Sequence, residues 1–242
     1  MRIADGVYVL PIPRNPQEPE NYLNLTLIVD EENGNTLVDA GLPDQTEAIG
    51  AALVEAGIGG RNLSRIILTH QDLDHVGSGA ALVRQSGARV LAHSAEVPYI
   101  EGRLRPLKPT PEMLEQRPHM REVLDRLEPV GVDEQLENET RLELAGGTQV
   151  IFTPGHTPGH ISLYLERSKI LIAGDAVTAQ GGNLKGPNPS ATLDTRTAMQ
   201  SVKRLADLDI DSIVCYHGGV VSEDANGQLR RVLQEASRNR DD

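Results

Sequence analysis

The sequence predicts an α/β protein, and three observations carry that prediction. Short runs of β-branched and aliphatic residues recur along the chain. Segments with helical spacing alternate with them through residues 43–93. Histidines and aspartates suited to chemistry stand directly after several of the apolar runs, where a strand end fixes backbone position.

Residues 6–12 (GVYVLPI) and 23–29 (LNLTLIV) read as strands. EENGN at 31–35 reads as a hairpin turn, because Asn-Gly tolerates the positive φ such turns need, and TLVDAG returns as the partner strand. Residues 43–57 carry Ile49 and Leu53 at helical spacing, with Pro43 near the start. RIILT is a short buried strand that runs into the turn HQDLDH, and VGSGAALVRQSG predicts a helix beginning just after His75. ARVLAH follows as a strand. Residues 98–130, rich in Pro and in both charge signs, read as an insertion or lid with a helical tail at 119–128. TRLEL, TQVIFT, ISLYLE and KILIAG resume the β pattern, and a loop over 175–194 leads to a helix at 195–206. SIVCYHGG is the last predicted strand and QLRRVLQEASRN the last helix. A single domain over 1–242 is the expectation.

Composition narrows the function. Tryptophan is absent and Phe152 is the only phenylalanine, so aliphatic side chains must build the core. A formal net charge of −12 opposes binding to a phosphate backbone, and the basic runs RNLSR and RLRPLK are short, so no nucleic-acid partner is expected. Cys215 is the only cysteine, which excludes an internal disulfide framework. The first residues lack a signal-peptide pattern and no apolar run is long enough to span a bilayer. A cytoplasmic protein acting on a small molecule is the expectation; the oligomeric state is left open.

Four places hold potential metal ligands after apolar β runs: His70, Asp72, Asp74 and His75 after RIILT; His156 in TPGHTPGH; Asp175 in AGD; and His217 in CYHGG. Each has an ordinary reading of its own. The aspartates of the first turn could cap the following helix, His156 could be a turn residue, Asp175 a turn aspartate and His217 a strand-end histidine. Their shared strand-end context favours one metal centre over four coincidences.

With VDAG at 38–41, THQDLDH at 69–75, TPGHTPGH at 153–160, AGD at 173–175 and YHGG at 216–219 in this order, the chain resembles the metallo-β-lactamase fold superfamily over nearly its whole length. The resemblance implies a four-layer αβ/βα sandwich of two mixed sheets flanked by helices, with a dinuclear metal site. It assigns His70, Asp72 and His156 to one ion, Asp74, His75 and His217 to the other, and Asp175 together with a water or hydroxide to both. Asp39 and His160 would support these ligands from behind. His93 would be structural or line the substrate, and Lys185 in the 177–192 loop, with the 98–130 insertion, would form pocket wall. The implied activity is metal-dependent hydrolysis of a small carbonyl ester, thioester or lactone by the bridging hydroxide. Asp74 would orient that nucleophile and return a proton to the leaving group.

One position departs from the family pattern. HxHxDH is the usual motif, and here Asp72 replaces its second histidine. An oxygen-richer donor set tilts the choice from Zn towards Fe or Mn, although Zn stays first, and a weakened first site is a further alternative. Iron-dependent oxygen or persulfide chemistry is therefore the alternative enzyme, and a non-enzymatic ligand sensor the alternative outside catalysis. Position 175 is not a thiolate, no glutathione-binding or flavodoxin-like domain follows His217, and no large nuclease insertion is present. These absences point to a small stand-alone hydrolase. The lack of a tyrosine soon after Asp175 argues against an acyl-homoserine lactonase.

Overall fold

The computed structural model describes residues 1–15, 18–59 and 62–238. Arg61 of the basic run RNLSR and Asn239 of the predicted last helix lie outside the described residues. The chain divides into two compact units: residues 1–12 with 25–136, and residues 13–24 with 137–242.

The expected α/β class is borne out, with one large mixed sheet ordered mainly within each unit. The first sheet has the order β1 (Arg2–Ala4), β2 (Val7–Asn15), β3 (Glu18–Ile28), β4 (Asn35–Val38), β5 (Leu63–Leu68), β6 (Arg89–His93), β7 (Glu134–Leu136). Strands β3 and β4 are antiparallel across the predicted Asn-Gly turn. Asp30 Oδ1 accepts the Glu32 and Asn33 amides there, and Gly34 takes the positive φ that closes the turn. Strands β4 to β7 run parallel, as crossovers through helices require. Ile66, Ile67 and Leu68 of β5 are all fully buried, the continuous apolar run expected of a parallel strand covered on both faces.

Helix α1 (Thr46–Glu55) buries Ile49 and Leu53, the two residues its spacing singled out. The helix predicted after His75 is instead two pieces, α2 (Leu73–Val76) and α3 (Gly79–Ser86). Residues 77 and 78 leave helical pairing to dock on the loop after β4: the Gly77 amide donates to Gly41 O, and Ser78 Oγ donates to Leu42 O while accepting the Gln45 amide. The 98–130 segment holds α5 (Pro111–Gln116) and α6 (Met120–Asp125), just after α4 (Val97–Ile100).

The second unit carries a six-stranded sheet of order β15 (Gly219–Val221), β14 (Ser212–Cys215), β11 (Ile170–Gly174), β10 (Ile161–Leu165), β9 (Thr148–Phe152), β8 (Arg141–Leu142). Only β11 and β14 pair in parallel. Helices α7 (Thr195–Leu205) and α8 (Ala225–Arg238) pack Val202, Leu205, Leu229 and Val232 with Leu171, Ala173, Ile213 and Cys215 of the sheet. The predicted 175–194 loop contains a short antiparallel ribbon, β12 (Thr178–Gln180) with β13 (Asn183–Lys185). Among the described residues no helix is long and apolar enough to cross a membrane.

Candidate functional site

The candidate residues form two sets, one in each unit. In the first unit Asp39 directly follows β4 in a left-handed conformation, φ 65°, that few residues other than Gly, Asn and Asp tolerate. That turn drives its carboxylate inward, where only 1% of the residue is exposed. It accepts the Thr69 amide at 2.8 Å and the Thr69 hydroxyl at 2.9 Å. His75 Nδ1 lies 2.9 Å from Asp39 Oδ2, and His70 Nδ1 lies 3.0 Å from Thr69 Oγ1. A carboxylate only accepts, so His75 donates from Nδ1, and the Thr69 hydroxyl, already donating to Asp39, accepts from His70 Nδ1. Both imidazoles are thereby held in the tautomer whose Nε2 lone pair suits a metal.

Asp72 sits at the N-cap of α2, yet its side chain makes no capping hydrogen bond, so the ordinary reading of it as a helix cap does not describe this structure. Its Oδ2 lies 3.3 Å from His70 Nε2 and 2.5 Å from Lys108 Nζ. Asp74 is half-buried in the first turn of α2. His93, at the end of β6, accepts the Ala95 amide on Nδ1 at 3.2 Å, a turn contact. The neighbouring Glu96, fully buried, accepts the Gln71 amide at 2.9 Å. Lys108 and Glu96 lie outside the strand-end motifs, so neither marks itself in the sequence as part of this set.

In the second unit His156 follows β9, Asp175 follows β11 and His217 follows β14. His156 Nε2 is 3.3 Å and His217 Nε2 3.4 Å from the same oxygen, Asp175 Oδ2. His160 Nε2 accepts the Asp175 amide at 2.9 Å, so its proton is on Nδ1, which donates to Thr153 Oγ1 at 2.8 Å. With both nitrogens engaged, His160 positions Asp175 and offers a metal no lone pair. Cys215 is wholly buried, and burial, reinforced by the Asp175 charge, pushes its thiol pKa well above the usual range. It stays a protonated core residue. His217 also borders a cleft of about 240 Å³ lined by Asn21, Tyr22, Asn24, Gly218 and Gly219. Tyr22 is 39% exposed, an outward-facing aromatic in an aromatic-poor chain. Lys185 is exposed on the β12–β13 ribbon.

These donor sets fit divalent metal. A tetrahedral ion with bonds of about 2.0–2.1 Å sets its donors about 3.3–3.4 Å apart. The His70–Asp72, His156–Asp175 and His217–Asp175 spacings of 3.3, 3.3 and 3.4 Å match that edge and exceed the separation of a close ion pair. Imidazole with carboxylate is also the donor chemistry that zinc, iron and manganese accept.

The sequence pattern of the metallo-beta-lactamase superfamily matches residues 20–217. The probable metallo-hydrolase YflN of Bacillus subtilis (strain 168) is 31% identical over 209 residues, spanning 78% of this chain and 76% of that protein. An N-acyl homoserine lactonase of Bacillus cereus is 26% identical over 219 residues, 78% of this chain and 79% of the lactonase. Among solved structures, the metallo-beta-lactamase family protein TTHA1429 from Thermus thermophilus superposes with a TM-score of 0.79 at 25% identity, covering 98% of this chain and 81% of its own.

Proposed function

The chain belongs to the metallo-β-lactamase superfamily, and from that membership we propose that it is a metal-dependent hydrolase of a small carbonyl ester, thioester or lactone. The observation that carries this reading is the repeated coordination-edge spacing of imidazole and carboxylate donors in both units. The likeness to proteins named metallo-hydrolase and lactonase supports it.

In this reading His70, Asp72 and His156 would hold one divalent ion, Asp74, His75 and His217 would hold a second, and Asp175 would serve both. Zinc is the first choice. Such ions would supply a nucleophilic hydroxide at neutral pH and polarise the scissile carbonyl. The chain's own residues do the rest. Asp39 and Thr69 keep His70 and His75 in the coordinating tautomer, so no proton has to move before a ligand binds. His160 fixes the carboxylate of Asp175 through its backbone. Asp74, half-buried, carries a proton from the nucleophile to the leaving group. Tyr22, Asn21 and Asn24 beside His217 offer an aromatic face and amide groups to a small substrate. Lys185 stands as a further wall residue.

The test begins with metal content by mass spectrometry, on protein purified without chelator or added metal, followed by an ester, thioester and lactone panel. We expect about two zinc ions per chain, turnover of one carbonyl class, and loss of both turnover and metal in Asp175→Ala. An Asp175→Ala variant with full activity and full metal content would sink the reading. Iron with oxygen uptake on a thiol persulfide would replace it with oxygen chemistry, the alternative that rests on Asp72.

A further inference from the structure

We propose that Lys108 is a built-in counter-charge for Asp72: its ammonium cancels the charge that Asp72 brings to the metal-binding donors and so weakens their hold on a divalent ion. The proposal rests on the metallo-hydrolase reading above and adds a residue to it.

The placement of Lys108 is specific. Its Nζ lies 2.5 Å from Asp72 Oδ2, and only 6% of Lys108 and 8% of Asp72 are exposed. Taking an ammonium out of water costs several kcal/mol unless a partner repays it, so a buried lysine is held where it is by its ion pair. The loop carrying it is tied to the ligand turn itself. Gln71, between His70 and Asp72, accepts the Leu107 amide on Oε1 at 2.8 Å, while its own amide donates to buried Glu96. Pro106 and Pro109 flank Leu107 and Lys108 and restrict the backbone on either side. Lys108 thus reaches Asp72 through a fixed route.

The oxygen that Lys108 engages is the one facing His70. Oδ2 of Asp72 is at once 2.5 Å from the ammonium and 3.3 Å from His70 Nε2, the spacing of two donors on one ion. A carboxylate beside a dication adds a full negative charge to the ligand field. An Asp–Lys pair adds none, as a neutral imidazole adds none, and its oxygen has already committed a lone pair to an N–H donor. The charge-based case for iron or manganese at this position is cancelled to the same extent. What remains is an oxygen donor of imidazole-like net charge.

Metal-free wild type, Lys108→Met, Lys108→Arg, Asp72→His and Asp72→His/Lys108→Met are titrated with zinc against a chromophoric chelator, with folding checked by circular dichroism. Lys108→Met should tighten the weaker zinc site at least about tenfold, the scale on which outer partners move metal affinity. Lys108→Arg, which keeps the charge, should stay near wild type. Folded Lys108→Met that binds zinc no more tightly than wild type overturns the proposal. Should that variant not fold, Asp72→His alone, with its ammonium uncancelled, must bind zinc at least about tenfold more weakly than Asp72→His/Lys108→Met. Equal affinities there overturn the proposal as well. A wild-type chain that takes up no zinc, iron or manganese overturns the metallo-hydrolase reading and this proposal together. Wild-type binding with an inert Lys108 overturns the proposal alone.

Discussion

The turn of candidate ligands in the first unit and the three candidate positions of the second solve one problem in opposite ways. In the first, four candidate ligands fall within six consecutive residues, 70–75, and one buried carboxylate, Asp39, orients two of them through Thr69 and His75. In the second, His156, Asp175 and His217 come from three different strand ends and are held separately. His160 grips Asp175 by its amide, and His156 sits in a turn whose Gly155 and His156 carbonyls accept the Asp194 and Leu193 amides at the start of α7. A compact ligand turn concentrates its dependence in one hub. A dispersed one spreads it.

That contrast is most exposed by Asp39→Ala against His160→Ala. Removing the Asp39 carboxylate strands the Thr69 amide, the Thr69 hydroxyl and His75 Nδ1 in a buried site. With each stranded donor costing about 1–3 kcal/mol, we expect a larger loss in urea denaturation than any single lost partner would give. Metal affinity should fall by about 100-fold, because two imidazoles lose their orientation. His160→Ala strands the Asp175 amide and takes one partner from Thr153 Oγ1, which keeps Ser162 Oγ beside it, and should cost about 1–3 kcal/mol, with roughly tenfold in affinity. Equal losses from the two variants would break the contrast.

A smaller effect sharpens it at the backbone. A Cβ on Gly155 would meet Ala198 N at 2.2 Å with φ at +127°, whereas one on Gly77 would meet Pro43 N at 2.2 Å without an unusual φ. Both alanine variants should lose about 1–3 kcal/mol by thermal or urea unfolding. The loss should be larger at Gly155, where clash and strain coincide; the reverse order would show that the first turn has less room to adjust.

The smallest effect is expected at Asp194, the N-cap of α7, whose Oδ1 accepts the Thr197 amide at 2.9 Å. That amide, with the Thr197 hydroxyl, holds the exposed carboxyl below its usual pKa. A group depressed in the folded state stabilises it above the unfolded carboxylate pKa and loses that contribution as pH falls through the folded value. Asp194→Ala should therefore lower Tm slightly at neutral pH, and the gap from wild type should close in acid. A gap independent of pH would remove the charge from this account.

Most of what made the site legible in the sequence was local. RIILT followed by HQDLDH announces a strand end loaded with donors, and the same grammar repeats before His156, Asp175 and His217. The alternating strands and helices of residues 43–93 were legible for the same reason: their periodicity is set by neighbours in the chain. What stayed hidden depends on distant partners. Lys108 in RLRPLKPTP looks like any solvated lysine, and the one available clue was indirect, that an extra carboxylate at Asp72 would need a cation. Thr69 reads as the last residue of a strand, and only its contacts with Asp39, His70 and His75 make it a relay. The break at Gly77 and Ser78 follows from the loop after β4, which periodicity cannot see. The β12–β13 ribbon escaped because its strands of three residues each are too short to show alternation.

Residues 13–24 belong with the second unit although residues 1–12 and 25–28 belong with the first. Leu23 bridges to His217, and the Asn24 side chain donates to the carbonyl of Tyr216, 192 residues further along the chain. At about 5–20 residues added per second on a ribosome, Asn24 waits roughly 10–40 s for that partner to be made. For that interval Leu23 and Asn24 lack their partners at His217 and Tyr216. The half-made chain therefore carries a strand edge awaiting a mate.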